Sequence, residues 1–194
     1  PEPEAEERIV RPVPEVFGKK TGRWAGYAPF ASKALKIYPE EQSRELAGMM
    51  SAEFDRLFIF SGPGREKEFA AALEAEYDNV TAVFGRTDIW GEIDLMSNLD
   101  ILVSMDSSAM HMASIVGAPT VTVWGATHPA AGFYAYGSDV EKSCVQLELD
   151  CRPCSIYGEG KCRRGDFKCM RDISPEMIME KIRALTALQE YPSV

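Results

Sequence analysis

From Ile101 to His111 the chain reads I-L-V-S-M-D-S-S-A-M-H, an apolar run ending at Met105 and then a polar tripeptide, Asp106-Ser107-Ser108. In open α/β sheets ligands bind beyond the carboxyl ends of the strands, where the following helix offers unpaired backbone N–H groups to anions. A carboxylate at that junction repels phosphate, so the chemistry open to Asp106 is to accept hydrogen bonds from sugar hydroxyls. His111 lies one helical turn beyond Ser108 and can donate toward the same crevice. The same spacing also fits a plain helix cap at Asp106 and a packing histidine at 111. Two lysines, Lys33 and Lys36, stand in a loop after an earlier apolar run; by themselves they read as solvated surface.

A second cluster is Cys151, Cys154, Cys162 and Cys169, a C-x-x-C followed after seven and then six residues by single cysteines. The first half has zinc-ligand spacing, but the second gap is wider than structural zinc sites use. Zinc at these four cysteines, packed thiols and disulfides all stay open; a reducing compartment weighs against the last.

These residues need a scaffold. Short apolar runs predict strands at 24–29, 56–61, 80–84, 101–104 and 120–124, and three-and-four periodicity predicts helices at 40–52, 66–76, 89–98 and 108–116. That alternation specifies a wound parallel α/β sheet with helices on both faces, Rossmann-like in architecture. Leu46, Met49 and Met50 form one expected inward stripe, and Phe69, Ala72 and Leu73 another. A last helix, 175–188, opens at Ser174-Pro175-Glu176, with serine as cap and proline in the first helical position.

The chain has 194 residues, 45% hydrophobic and 26% charged, which suits one globular core. Residues 1–15, rich in proline and glutamate, read as a linker from a missing N-terminal domain; 16–194 form the domain, with a Cys-rich knob at 151–169. A first residue that is proline, not methionine, fits that reading. A formal net charge of −9 argues against nucleic acid as partner. No run approaches the roughly 20 apolar residues of a membrane span, and no signal-peptide core opens the chain. The expectation is a cytoplasmic protein without a transmembrane segment, a peripheral place at the inner membrane being left open.

The stretch D-S-S-A-M-H-M-A-S-I-V-G-A-P-T-V-T-V-W-G-A-T-H-P resembles the donor-site segment of the family 9 glycosyltransferases, the ADP-heptose:lipopolysaccharide heptosyltransferases. Ser32 to Glu40, S-K-A-L-K-I-Y-P-E, is similar to that family's lysine–aromatic–proline segment, and the C-x-P-C pattern followed by I-S-P-E also resembles its second-heptose members, as a structural knob. Ser108 departs from the pattern, standing where glycine is common.

The resemblance implies the C-terminal, donor-binding half of a GT-B enzyme that transfers heptose, with inversion, from ADP-heptose to the lipopolysaccharide inner core. The acceptor and the general base would lie with the missing N-terminal domain, leaving this piece inactive alone. It implies Lys36, Asp106 and His111 as catalytic residues. It implies Ser32, Lys36, Glu66, Leu95, Asp106, Ser107, Ser108, Ala109, His111 and Thr127 as donor contacts, with Leu95 against the adenine and Glu66 at the ribose. The donor is a substrate, so no cofactor is called for. Rival readings are another nucleotide sugar, an epimerase, or a non-catalytic nucleotide-binding domain. A dinucleotide site is disfavoured because S-G-P-G at 61–64 lacks the third glycine.

Overall fold

The computed structural model describes residues 8–190. Six parallel strands form one sheet in the order β3-β2-β1-β4-β5-β6, comprising β1 (Trp24–Ala28), β2 (Arg56–Ile59), β3 (Val80–Ala82), β4 (Ile101–Met105), β5 (Thr120–Trp124) and β6 (Cys144–Gln146). The order reverses between β1 and β4, which opens a crevice at their carboxyl ends.

Every residue of β1, β4 and β5 is buried, which is why they read as continuous apolar runs and not as alternating ones. Both faces of the sheet are covered. On one, Ala25, Tyr27, Ile101 and Val103 pack under α1 (Glu40–Glu53), α2 (Arg65–Glu76) and α7 (Pro175–Glu190). On the other, Trp24, Ala28 and Leu102 pack under α3 (Ile89–Met96) and α4 (Ser108–Ile115). Local chemistry starts the helices: the Asp88 side chain accepts from Gly91 N at 2.9 Å to cap α3, and Ser174 Oγ accepts from Met177 N at 3.3 Å to cap α7.

Several elements differ from the sequence expectation. β2 and β3 stop short, at Ile59 and Ala82. The edge strand β6 is unpredicted; three residues are too few for a periodic signal, and pairing with β5 decides it. Two single-turn helices, α5 (Val140–Ser143) and α6 (Lys168–Arg171), were equally invisible. In α2 the inward stripe is Phe69, Ala70 and Leu73, while Ala72 is exposed. Met49 in α1 is only partly buried.

Residues 8–14 lie along the domain surface and are tied to it. Ile9 N donates to Val116 O at 3.2 Å, Arg11 N to Ser97 Oγ at 2.9 Å, and the Arg11 guanidinium pairs with Asp94 at 2.7 Å. The rest of the expected linker, residues 1–7, lies outside the described residues.

Gly26, in the middle of β1, is required by packing. A Cβ there would stand 2.5 Å from Leu99 Cδ1 and 2.7 Å from Leu102 Cδ1. Gly26→Ala is therefore expected to lower stability by about 1–3 kcal/mol through overpacking, read as a lower urea midpoint with unchanged slope. An unchanged midpoint would show that the two leucines yield at no cost.

Candidate active site

The crevice holds a cavity of about 420 Å³. The segment after β1 contributes Phe30 and Ser32, the segment after β2 contributes Ser61 and Gly62, and α4 contributes Ser108 and Met112. Ser107 is the N-cap of α4 in extended conformation and makes no side-chain cap bond, so the first-turn amides of that helix are not consumed by it. Its hydroxyl instead lies 3.1 Å from Ser104 Oγ. Ser61 Oγ is buried in the cavity wall without a hydrogen-bond partner, a cost that a ligand oxygen can offset.

Beside this cavity stands a compact polar cluster. Lys36, at the end of a 3-10 turn (Ala34–Lys36), reaches Asp106 Oδ2 with Nζ at 2.8 Å, and the two side chains are only 15% and 6% exposed. Thr127, 1% exposed just past β5, donates its hydroxyl to the same Oδ2 at 2.8 Å. Both bonds fall on Oδ2; Oδ1 accepts no hydrogen bond among the described residues. Asp106 is thus neither a helix cap nor a solvated carboxylate, since it is the junction of three chain segments.

The competition between the two lysines is resolved by tertiary structure. Lys33 turns away and pairs with Glu159 at 2.9 Å, leaving Lys36 as the cation at the crevice.

Other expected site residues are placed as follows. Ser32, Glu66, Ser107, Ser108 and Ala109 line the cavity. Glu66 Oε2 also accepts from Gly62 N at 2.6 Å, which fixes the turn after β2. His111 is exposed on α4 and is not part of the cavity wall. Leu95 is not there either: it is fully buried in the core under α3, because the face of that helix carrying Leu95 packs against the sheet. The cavity residues of α3 are Ile89 and Glu92, which periodicity alone did not single out.

Sequence reasoning also missed what the Cys-rich segment does. The Arg152 guanidinium donates to the carbonyls of Trp124 (3.1 Å), Thr127 (3.0 Å), Gly125 and Leu147, and to Gln146 Oε1 (3.1 Å). Cys154 N donates to Ala126 O at 2.9 Å. The knob therefore clasps the turn that carries Thr127. Gly158, at φ 79°, lies flat against the alkyl stem of Lys36; a Cβ there would be 2.7 Å from Lys36 Cε. All five cysteines are free thiols, and among the described residues no set of three or more His, Cys, Asp or Glu is gathered as metal ligands. Burial pushes the Cys169 thiol up to about 11, whereas backbone N–H groups, that of Phe167 foremost, hold the Cys162 thiol below its ordinary value.

The model of glycosyltransferase family 9 (heptosyltransferase) matches residues 13–159. The chain belongs to this family. Among curated relatives, a lipooligosaccharide heptosyltransferase 2 of Campylobacter jejuni is 28% identical over 180 residues, covering 91% of this chain and 53% of the relative. Among solved structures, the E. coli ADP-heptose lps heptosyltransferase II superposes with TM-score 0.68 at 20% identity, over 90% of this chain and 50% of that one. E. coli heptosyltransferase WaaC with ADP-2-deoxy-2-fluoro heptose superposes with TM-score 0.63 at 19% identity, over 84% of this chain and 43% of that one. The chain spans about half the length of these relatives. The family 9 fold accounts for the wound sheet and for a crevice at the β1/β4 reversal. Among the described residues, no helix is long and apolar enough to cross a membrane.

Proposed function

We propose that this chain is the donor-binding half of an inverting glycosyltransferase that transfers heptose from ADP-heptose to the lipopolysaccharide inner core. A preceding domain, joined through residues 1–15, would hold the acceptor and the general base. The observation that carries the reading is the Lys36–Asp106–Thr127 cluster set beside the free first turn of α4, at the reversal of strand order.

The chemistry follows from those positions. An acceptor hydroxyl attacks the anomeric carbon, the bond from that carbon to the diphosphate breaks, and the acceptor's proton passes to the base. Negative charge grows on the departing ADP, where the Lys36 ammonium and the α4 amides stabilise it. Asp106 Oδ1, which accepts from no described residue, accepts from sugar hydroxyls. The serines at 32, 61, 107 and 108 supply donors to phosphate oxygens. Glu66 lies within the same wall for the ribose. His111 would join only through a rotation of its exposed side chain toward bound phosphate. The five free thiols suit a cytoplasmic setting.

The test is calorimetric titration of this chain with ADP and with ADP-heptose. Saturable binding of both, with no sugar transfer by the chain alone, is the expected result. Absence of ADP binding, or a clear preference for UDP, overturns the reading.

A further inference from the structure

One wall of the cavity holds a carboxylate that the proposed chemistry does not use. Glu92, one turn into α3, lines the cavity, as do Ile89 on its own helix, Met112 on α4 and Phe60. Its side chain is half-buried and makes no ion pair or hydrogen bond among the described residues; burial raises its carboxyl above the ordinary value. The neighbouring acids differ: Glu66 is engaged by Gly62, Asp94 by Arg11, and Asp88 caps α3.

A partly desolvated, unpaired carboxylate in a cavity that is to receive a diphosphate is unfavourable on two counts. It loses water, and it adds charge of the wrong sign. A donor brought by the ligand relieves both. Ile89, Met112 and Phe60 give the cavity an apolar lining component, which suits the flat face of a base and not a sugar or a phosphate. The donor that a base presents at its edge is an exocyclic amino group.

Resting on the proposed nucleotide site, we propose that Glu92 is a specificity-determining residue, its carboxylate accepting a hydrogen bond from the exocyclic amine of the donor's base. The site then selects adenine over bases that carry an oxo group at that edge, because an oxo oxygen would face the carboxylate with lone pairs against lone pairs.

The experiment compares ADP with IDP, which differ at this position by amine against oxo, as calorimetric ligands of the unaltered chain and of Glu92→Gln. The unaltered chain is expected to bind IDP roughly ten- to a hundredfold more weakly than ADP, the range set by leaving a charged acceptor unsatisfied. In Glu92→Gln the carboxamide can accept from an amine or donate to an oxo group, so the preference should fall to within about threefold, again on that hydrogen-bond scale. Equal binding of ADP and IDP by the unaltered chain overturns the inference, and so does an undiminished preference in Glu92→Gln. If the unaltered chain binds no ADP, the reading of the site itself fails and takes this inference with it; the two failures are thereby distinguished.

Discussion

Lys36→Met is expected to weaken ADP binding by about ten- to a hundredfold, the scale of a lost hydrogen bond between charged partners, and to destabilise the fold as well. Methionine keeps the apolar stem that lies against Gly158, so the change removes charge and leaves packing largely intact. Asp106, with its side chain only 6% exposed, then keeps Thr127 as its one side-chain partner among the described residues. Breaking a buried pair from one side strands the other charge and costs about 3 kcal/mol or more. Urea denaturation should show that loss in Lys36→Met and a comparable one in Asp106→Leu. Lys36→Met combined with Asp106→Leu should recover much of it, because no isolated charge remains. Such a cycle separates the energetics of the pair from its use in binding, since the double variant should be stable and still fail to hold ADP. Additive stability losses, or full ADP affinity in Lys36→Met, would contradict the arrangement.

The second large effect is expected at Arg152. Its guanidinium satisfies four backbone carbonyls and the Gln146 amide oxygen where β5 ends and the knob begins. Arg152→Ala leaves those acceptors without a donor around a half-buried void, and each unsatisfied group costs on the order of 1 kcal/mol or more. Water reaches part of a half-buried void and satisfies some of these acceptors, so a total loss of about 3–4 kcal/mol is expected, lowering the unfolding midpoint. Thr127 lies within the clasped turn, so donor affinity should fall together with stability. Arg152→Lys should recover little, because an ammonium on a flexible stem cannot span acceptors arranged for a planar fork. Wild-type stability in Arg152→Ala would mean that the knob is an ornament and not a clasp.

Much of the scaffold was legible because parallel strands buried on both faces must be apolar throughout, and because helices covering them must repeat at three and four. β1, β4 and β5 announce themselves for that reason, as does the start of α7 at Ser174. The placement of the Asp106-Ser107-Ser108 junction was equally local: it lies between a strand end and a helix start. β6 escaped notice because a three-residue edge strand exists only through its neighbour.

At the site, local pattern ran out where distant segments had to meet. Lys33 and Lys36 are equivalent by composition and only the family resemblance singled out Lys36; the physical difference comes from the docking of the knob, with Glu159 taking Lys33 and Gly158 bracing Lys36. Leu95 and Glu92 share one helix, and which of them sees the crevice depends on how α3 is rolled against the sheet. The amino-acid sequence by itself determined the order of elements and the polar junction at Asp106, because these rest on periodicity and capping within a few residues. The tertiary structure alone decided that Lys36 pairs with that carboxylate, that Glu92 and not Leu95 faces the cavity, and what the cysteine-rich segment holds in place, because those contacts join segments whose separation along the chain carries no local signal.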